Sequence, residues 1–200
     1  MSVGNCVTSI GFDAIQTGKP LDAGLAFNVV GPQRSNVLLN RKVLADRTNY
    51  EASIPQSFVP ATGGDFTFDN FPGGTDVKFI STGQSLPSNF TWTNSAALAN
   101  VDRQGATVTW SGGTITDEQN LATYVEITGS VTVSGVPVTF HCRAASSAGR
   151  FTIPSSALMA IPPGGGFLEL TAVSQKAYDP PGLDFLSQVG RVSLTVQARY

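Results

Sequence analysis

The chain has 200 residues with 12 basic and 14 acidic side chains, and charged residues make up only 13% of it, about half the roughly 25% usual in soluble domains. With no basic run there is no electrostatic footprint for a phosphate backbone or an anionic bilayer, which argues against nucleic acid as a partner. The longest apolar stretches, Val136 to Phe140 and Phe167 to Leu170, are strand-sized, whereas a membrane helix needs about 20 residues, so no membrane span is expected.

Met1 to Ile15 has neither the basic stretch nor the apolar run of a secretion signal, and the expectation is a mature exported form with an added Met rather than a cytosolic chain. Beyond it, short alternating runs are separated by Gly, Pro, Asn and Asp, and helical periodicity is almost absent. Leu25, Phe27 and Val29 alternate before Gly31-Pro32, and Tyr50, Ala52 and Ile54 before Pro55. Phe66 and Phe68 share a face, Gly73-Gly74 is a turn, and Val77 and Phe79 resume the alternation, which predicts a hairpin. Asp65, Asp69, Asn70 and Asp76 cluster around that turn. Such oxygens hold calcium in the inter-strand loops of extracellular sandwiches, although this spacing is not an EF-hand. The alternative is that Asp and Asn sit there because they bond their own backbone.

The pattern stops around Ser85 to Ser88, which places a boundary near Pro87 and divides the chain into residues 1–87 and 88–200. The second part opens with Phe90 and Trp92, then Ala106, Val108 and Trp110, then Val125, Ile127, Val131 and Val133 with Gly129 as a bulge. Val138, Phe140 and Cys142 follow on one face, then Phe151 to Ile153, Leu168 to Val173 and Val192 to Tyr200. Ser155-Ser156 before Ala157 to Ala160 predicts one helical turn ended by Pro162-Pro163, and Thr116 to Thr123 is a second helical candidate. The fold class is therefore all-β, as two sandwich-like, immunoglobulin-like subdomains.

The period of two buries the Cys142 thiol, and Cys6 is the only other cysteine. They are either two separate buried thiols or a disulfide closing a long loop. The bond would be worth at most about 5 kcal/mol in chain-entropy models and would imply an oxidising compartment.

Several motifs of this chain, taken in order, carry a resemblance. They are Leu21-Asp22-Ala23-Gly24 leading to Gly31-Pro32, Pro72-Gly73-Gly74-Thr75-Asp76-Val77, Phe90-Thr91-Trp92-Thr93-Asn94, Val108-Thr109-Trp110-Ser111-Gly112-Gly113, Tyr124 to Gly129, the Phe140 to Cys142 strand, Ala148 to Pro154 and Gly182-Leu183-Asp184. Together, over roughly residues 20 to 200, the chain resembles a group of uncharacterised secreted β-rich proteins of acidobacteria. The resemblance implies export and a sandwich-like fold and implies no activity. Thr114 to Ala122 departs from the group, being longer and more acidic.

Chemistry is sparse. His141 is the only histidine and by parity points away from the Cys142 face; a zinc site would need further carboxylate or thiolate ligands, and no Gly-x-Ser-x-Gly elbow accompanies it. Glu126 with Glu169, or Asp117 with Glu118, are the carboxylate pairs that glycosidase chemistry would require, but the first two are outward on their strands and the second two are adjacent and diverge. Gly164-Gly165-Gly166 lacks the Lys and Ser/Thr of a phosphate loop. Trp110 shares a face with Val108 and is expected in the core, which leaves Trp92 and Tyr124 as the rings for stacking on a sugar. Val192, Leu194, Val196, Ala198 and Tyr200 alternate to the last residue, a strand that either closes its own sheet or completes a neighbour's.

The expectation is a non-enzymatic, secreted or cell-surface, structural or adhesive module without a cofactor, calcium being the one candidate. Its partner would be a protein, a polysaccharide or itself through strand addition, and Cys6 and Cys142 would be bridged. The alternative is a carbohydrate-binding or enzyme-accessory module using Trp92 and Tyr124.

Overall fold

The computed structural model describes residues 1–11, 21–44, 47–87, 90–114, 122–178 and 186–200. In chain order its strands are β1 (Cys6–Ile10), β2 (Ala26–Val30), β3 (Asn36–Val43), β4 (Thr48–Glu51), β5 (Gly64–Asp69), β6 (Ser81–Leu86) and β7 (Thr91–Trp92). They continue with β8 (Gly105–Ser111), β9 (Ala122–Val133), β10 (Val136–Ala145), β11 (Arg150–Pro154), β12 (Gly165–Tyr178) and β13 (Leu186–Arg199), with a helix α1 (Ser155–Ala160) between β11 and β12. The described strands form a five-stranded sheet β1-β10-β9-β12-β13, a three-stranded sheet β11-β8-β7 and a second five-stranded sheet β4-β3-β2-β5-β6, all with antiparallel neighbours. The protein is all-β, as its alternation predicts.

The main core follows from the period of two. Val138, Phe140, Cys142 and Ala144 of β10 are buried, as are Val125, Ile127 and Val131 of β9 and Leu168, Leu170 and Ala172 of β12. They pack against Ala106, Val108 and Trp110 of β8, Ile153 of β11 and Trp92 of β7, so the larger sheet and the three-stranded sheet enclose one cluster. Each Leu, Ile or Phe buried here stabilises the fold by about 1.5–3 kcal/mol. Trp110 lies in this core, and its indole N–H donates to the Ser146 carbonyl at 2.9 Å. Helix α1 forms where good helix formers, Ala157 to Ala160, follow Pro154 at the N-cap, and it adds Ala157 and Leu158 to the core. Both serines lie within the helix and no side chain caps it. The Thr116 to Thr123 candidate falls mainly outside the described residues, and its last two residues belong to β9.

Gly129 is not a bulge. Its register is continuous on both sides, opposite Phe140 and opposite Leu168. A Cβ there would collide with the Phe140 ring and the Tyr200 hydroxyl, so glycine is required by close packing of two aromatic rings over the strand.

The second five-stranded sheet has smaller clusters of its own. Val29, Val37, Leu39, Phe66, Phe68 and Leu86 pack with Phe58 from the turn at Gln56–Phe58. The partner of β5 is β6, with Phe66 opposite Gln84, and not the Val77–Phe79 stretch that alternation suggested. Val77 is buried and Phe79 exposed in the β5–β6 connection, and Leu25, just before β2, is exposed too.

Three features join the ends of the chain to its middle. Cys6 and Cys142 form a disulfide across the β1–β10 ladder, so β1, which sequence order groups with the first part, lies in the second part's sheet. Gln84 of β6 and Ser174 of β12 are hydrogen-bonded side chain to side chain, linking the two five-stranded sheets. Strand β13 closes its own sheet, pairing with β12 from Tyr178↔Leu186 to Gly165↔Arg199, and Arg199 also bridges to Asn100. Among the described residues, no helix is long and apolar enough to cross a membrane.

Candidate interaction site

The residues singled out from sequence do not converge. Asp65 and Asp69 lie at opposite ends of β5, about 13 Å apart along an extended strand. Asp65 Oδ1 accepts from the Ser85 hydroxyl at 2.5 Å and Asp69 Oδ2 from Asn28 at 3.1 Å. Asp76 Oδ2 accepts from the Asp22 backbone N–H at 2.8 Å. No cluster of three or more metal-ligating side chains occurs among the described residues. Asn70 is buried, away from any surface ion.

The rings expected to stack on a sugar present no open face. Trp92 is 7% exposed in the main core, with its indole N–H on Asn94 Oδ1 at 3.1 Å. Tyr124 is 5% exposed, and the Arg143 guanidinium sits 4.3 Å above its ring. On the outer face of the large sheet Arg143 also reaches Glu126 Oε2 at 3.4 Å, and His141 Nδ1 lies 3.0 Å from the Thr128 hydroxyl. Glu169 accepts from Thr171 at 3.0 Å. Glu126 and Glu169 are thus each held by their own neighbours, as outward strand residues usually are. Asp117 and Glu118 lie outside the described residues.

Sequence reasoning missed a different cluster, at the end of the smaller five-stranded sheet. Its hub is Asp22. Oδ1 accepts from the Gly24 N–H at 2.9 Å and from Arg41 at 2.9 Å, and Oδ2 accepts from the Thr75 hydroxyl at 3.0 Å. The Asp22 carbonyl accepts the N–H groups of Asp76 and Val77, at 3.1 and 2.9 Å. The Gly24 amide most, then Thr75 and Arg41, hold the Asp22 carboxyl below the ordinary carboxylate value, against a partial rise from desolvation. Gly74 passes so close to Asp22 and Gly24 that any Cβ would strike their backbone, which is why glycine stands there.

Asn70 locks the same loop from inside. Its Nδ2 donates to the carbonyls of Ala23 and Lys78 at 2.9 and 3.1 Å, and its Oδ1 accepts from the Ile80 N–H at 2.7 Å. Tyr50 adds a further tie, donating to Gly24 O at 3.0 Å and accepting from Ala23 N at 3.1 Å; burial pushes its phenol pKa up.

On this fixed framework sit three large apolar side chains facing solvent: Leu25 at 84% exposure, Phe71 at 76% and Phe79 at 50%. The two rings meet edge to face at 5.8 Å. Leu25 and Phe71 line a cleft of about 390 Å³ with Asp22, Arg41 and Thr75, so a guanidinium and a carboxylate border the apolar surface. The sequence signal was present in Asp22-x-Gly24, an Asx-type turn, and in the Phe71-Pro72-Gly73-Gly74 loop. No protein-family model, curated protein or solved structure matches the chain.

Proposed function

We propose that this protein is a non-catalytic extracellular or cell-surface interaction module that grips a protein partner through Leu25, Phe71 and Phe79. The observation that carries the reading is the exposure of these three side chains on two segments, residues 21–25 and the β5–β6 connection, that Asn70 and Asp22 tie together. An ordered loop loses little freedom on binding, so exposed aromatic rings on it are efficient anchors. Arg41 beside them gives the patch the aromatic-plus-arginine character common in binding hot spots. The Cys6–Cys142 disulfide supports an oxidising, extracellular setting.

The test uses immobilised full-length protein and envelope preparations of the producing organism. The expected result is saturable binding that protease treatment of the envelopes abolishes. A Phe71→Ser, Phe79→Ser variant that melts at the wild-type temperature should bind about 30-fold more weakly, as for loss of a hot spot of about 2 kcal/mol. Binding that survives the double substitution, or that survives protease and is lost on glycan removal, overturns the reading.

A further inference from the structure

The inner face of the smaller five-stranded sheet is apolar around one buried amide, with Thr82, opposite Phe68, and Arg41, opposite Tyr50 at the end of the sheet, as further polar residues on it. Val29, Val37, Leu39, Phe66, Phe68 and Leu86 face it from β2, β3, β5 and β6, while Gln84 occupies the same face as Phe66 and Leu86. These residues, with Phe58, enclose a cavity of about 170 Å³ whose rim is formed by the exposed Ile54 and Val59. Among the described residues Gln84 is its one polar lining side chain, and it is only 6% exposed.

The orientation of the Gln84 amide is fixed by its neighbours. Nε2 lies 3.1 Å from the Ser85 carbonyl, 3.4 Å from the Ser174 carbonyl and 2.6 Å from Ser174 Oγ. Carbonyl oxygens only accept, so the group beside them must be the NH₂. The Ser174 hydroxyl spends its proton on the Ser85 carbonyl at 2.6 Å, so it accepts from Gln84 as well. Oε1 is then left with no hydrogen-bond partner among the described residues. A buried acceptor in that state is costly, and it is relieved by whatever brings a donor to it.

We propose that this cavity binds a small apolar molecule carrying a single hydrogen-bond donor, its ring or chain against Phe58, Phe66 and Leu39 and its donor on Gln84 Oε1. The class is that of phenols and short alcohols. The volume agrees, since an apolar cavity of about 150 Å³ accepts benzene. Selectivity comes from the acceptor, because an all-apolar wall would prefer a hydrocarbon to an alcohol of equal size, the alcohol losing its hydrogen bonds with water on entry. Gln84 also carries the bond to Ser174, so the ligand's polar end would sit at the junction of the two five-stranded sheets.

Phenol and toluene are equal in heavy atoms and differ in the donor, which makes them the probes. In heteronuclear NMR titrations of the full chain, phenol should give saturable shifts of the Val29, Val37 and Leu39 methyl groups. The ratio of phenol to toluene affinity should fall at least 10-fold in Gln84→Leu, and likewise in Gln84→Met, which keeps an unbranched chain if the first variant does not fold. Val59→Trp at the rim, independent of Gln84, should weaken or slow binding of both probes. The proposal is overturned if neither probe gives saturable shifts, if the affinity ratio stays within 2-fold of wild type in the Gln84 variants, or if Val59→Trp leaves both probes binding as before.

Discussion

Replacing Cys6 and Cys142 together by Ala removes a bond between residues 136 apart in sequence. For a closed loop of that length the chain-entropy relation assigns about 5 kcal/mol to restraint of the unfolded chain. Divided by the unfolding entropy expected for a chain of 200 residues, this corresponds to a fall in Tm of about 12 °C. Two features of the site modify that figure in opposite directions. Cys142 is fully buried, so truncating it to Ala leaves a small void costing about a further 1 kcal/mol. Strand β1 acts the other way. Four of its five residues are exposed and, among the described strands, only β10 pairs with it, so without the bond it frays and the native state regains some chain freedom. The net expectation by calorimetry is a fall of about 8–15 °C, with the amides of β1 losing hydrogen-exchange protection before those of β9 and β12. A fall below about 3 °C with β1 still protected would refute this reasoning.

Three other perturbations probe separate parts of the structure. Asn70→Ala strands the carbonyls of Ala23 and Lys78 and the Ile80 N–H, and urea denaturation should show a loss of about 3 kcal/mol; a loss under about 1 kcal/mol would mean that the loop repacks or hydrates freely. Asp22 has a folded-state pKa below its ordinary value of 3.8. Its contribution is therefore complete above that value and is lost as the pH falls through the lower folded value, because the unfolded chain takes up the proton first. Asp22→Asn should flatten the dependence of Tm on pH below about 4 relative to wild type, and parallel curves for the two proteins would contradict this. Gly129→Ala forces a methyl group into the Phe140 ring and the Tyr200 hydroxyl, and should cost about 1–3 kcal/mol in chemical denaturation; wild-type stability would show that the two rings do not pack over that position.

Where one face of a strand is buried and the other wet, sequence alone was enough to read it. Val138, Phe140 and Cys142 point inward and His141 outward, Trp110 is core, and α1 falls on Ser155–Ala160. Strand β6 was illegible for a physical reason. On its inward face it carries Gln84, whose amide is satisfied in part by Ser174, 90 residues away, and no local pattern encodes such a partner. The placement of β1 was illegible for a similar reason, being set by pairing with β10 across most of the chain. Leu25 and Phe79 show the converse: alternation marked them as inward, yet they lie outside the strands and stay in solvent. Asn70 looks like its neighbouring carboxylates in sequence because turn oxygens are alike there, and its burial is what separates a loop clasp from a surface ligand.

The position of the disulfide also decides where the molecule carries mechanical load. The smaller five-stranded sheet, with Leu25, Phe71 and Phe79, lies wholly between Cys6 and Cys142 in sequence. Tension applied between residues 1 and 200 therefore passes from β1 directly into β10 through a covalent bond and bypasses that sheet. Only residues 1–5 and 143–200 can pay out, about 220 Å at full extension against about 700 Å for the uncrosslinked chain. A partner held on the Phe71 loop would keep its binding surface folded while the larger sheet bore the force.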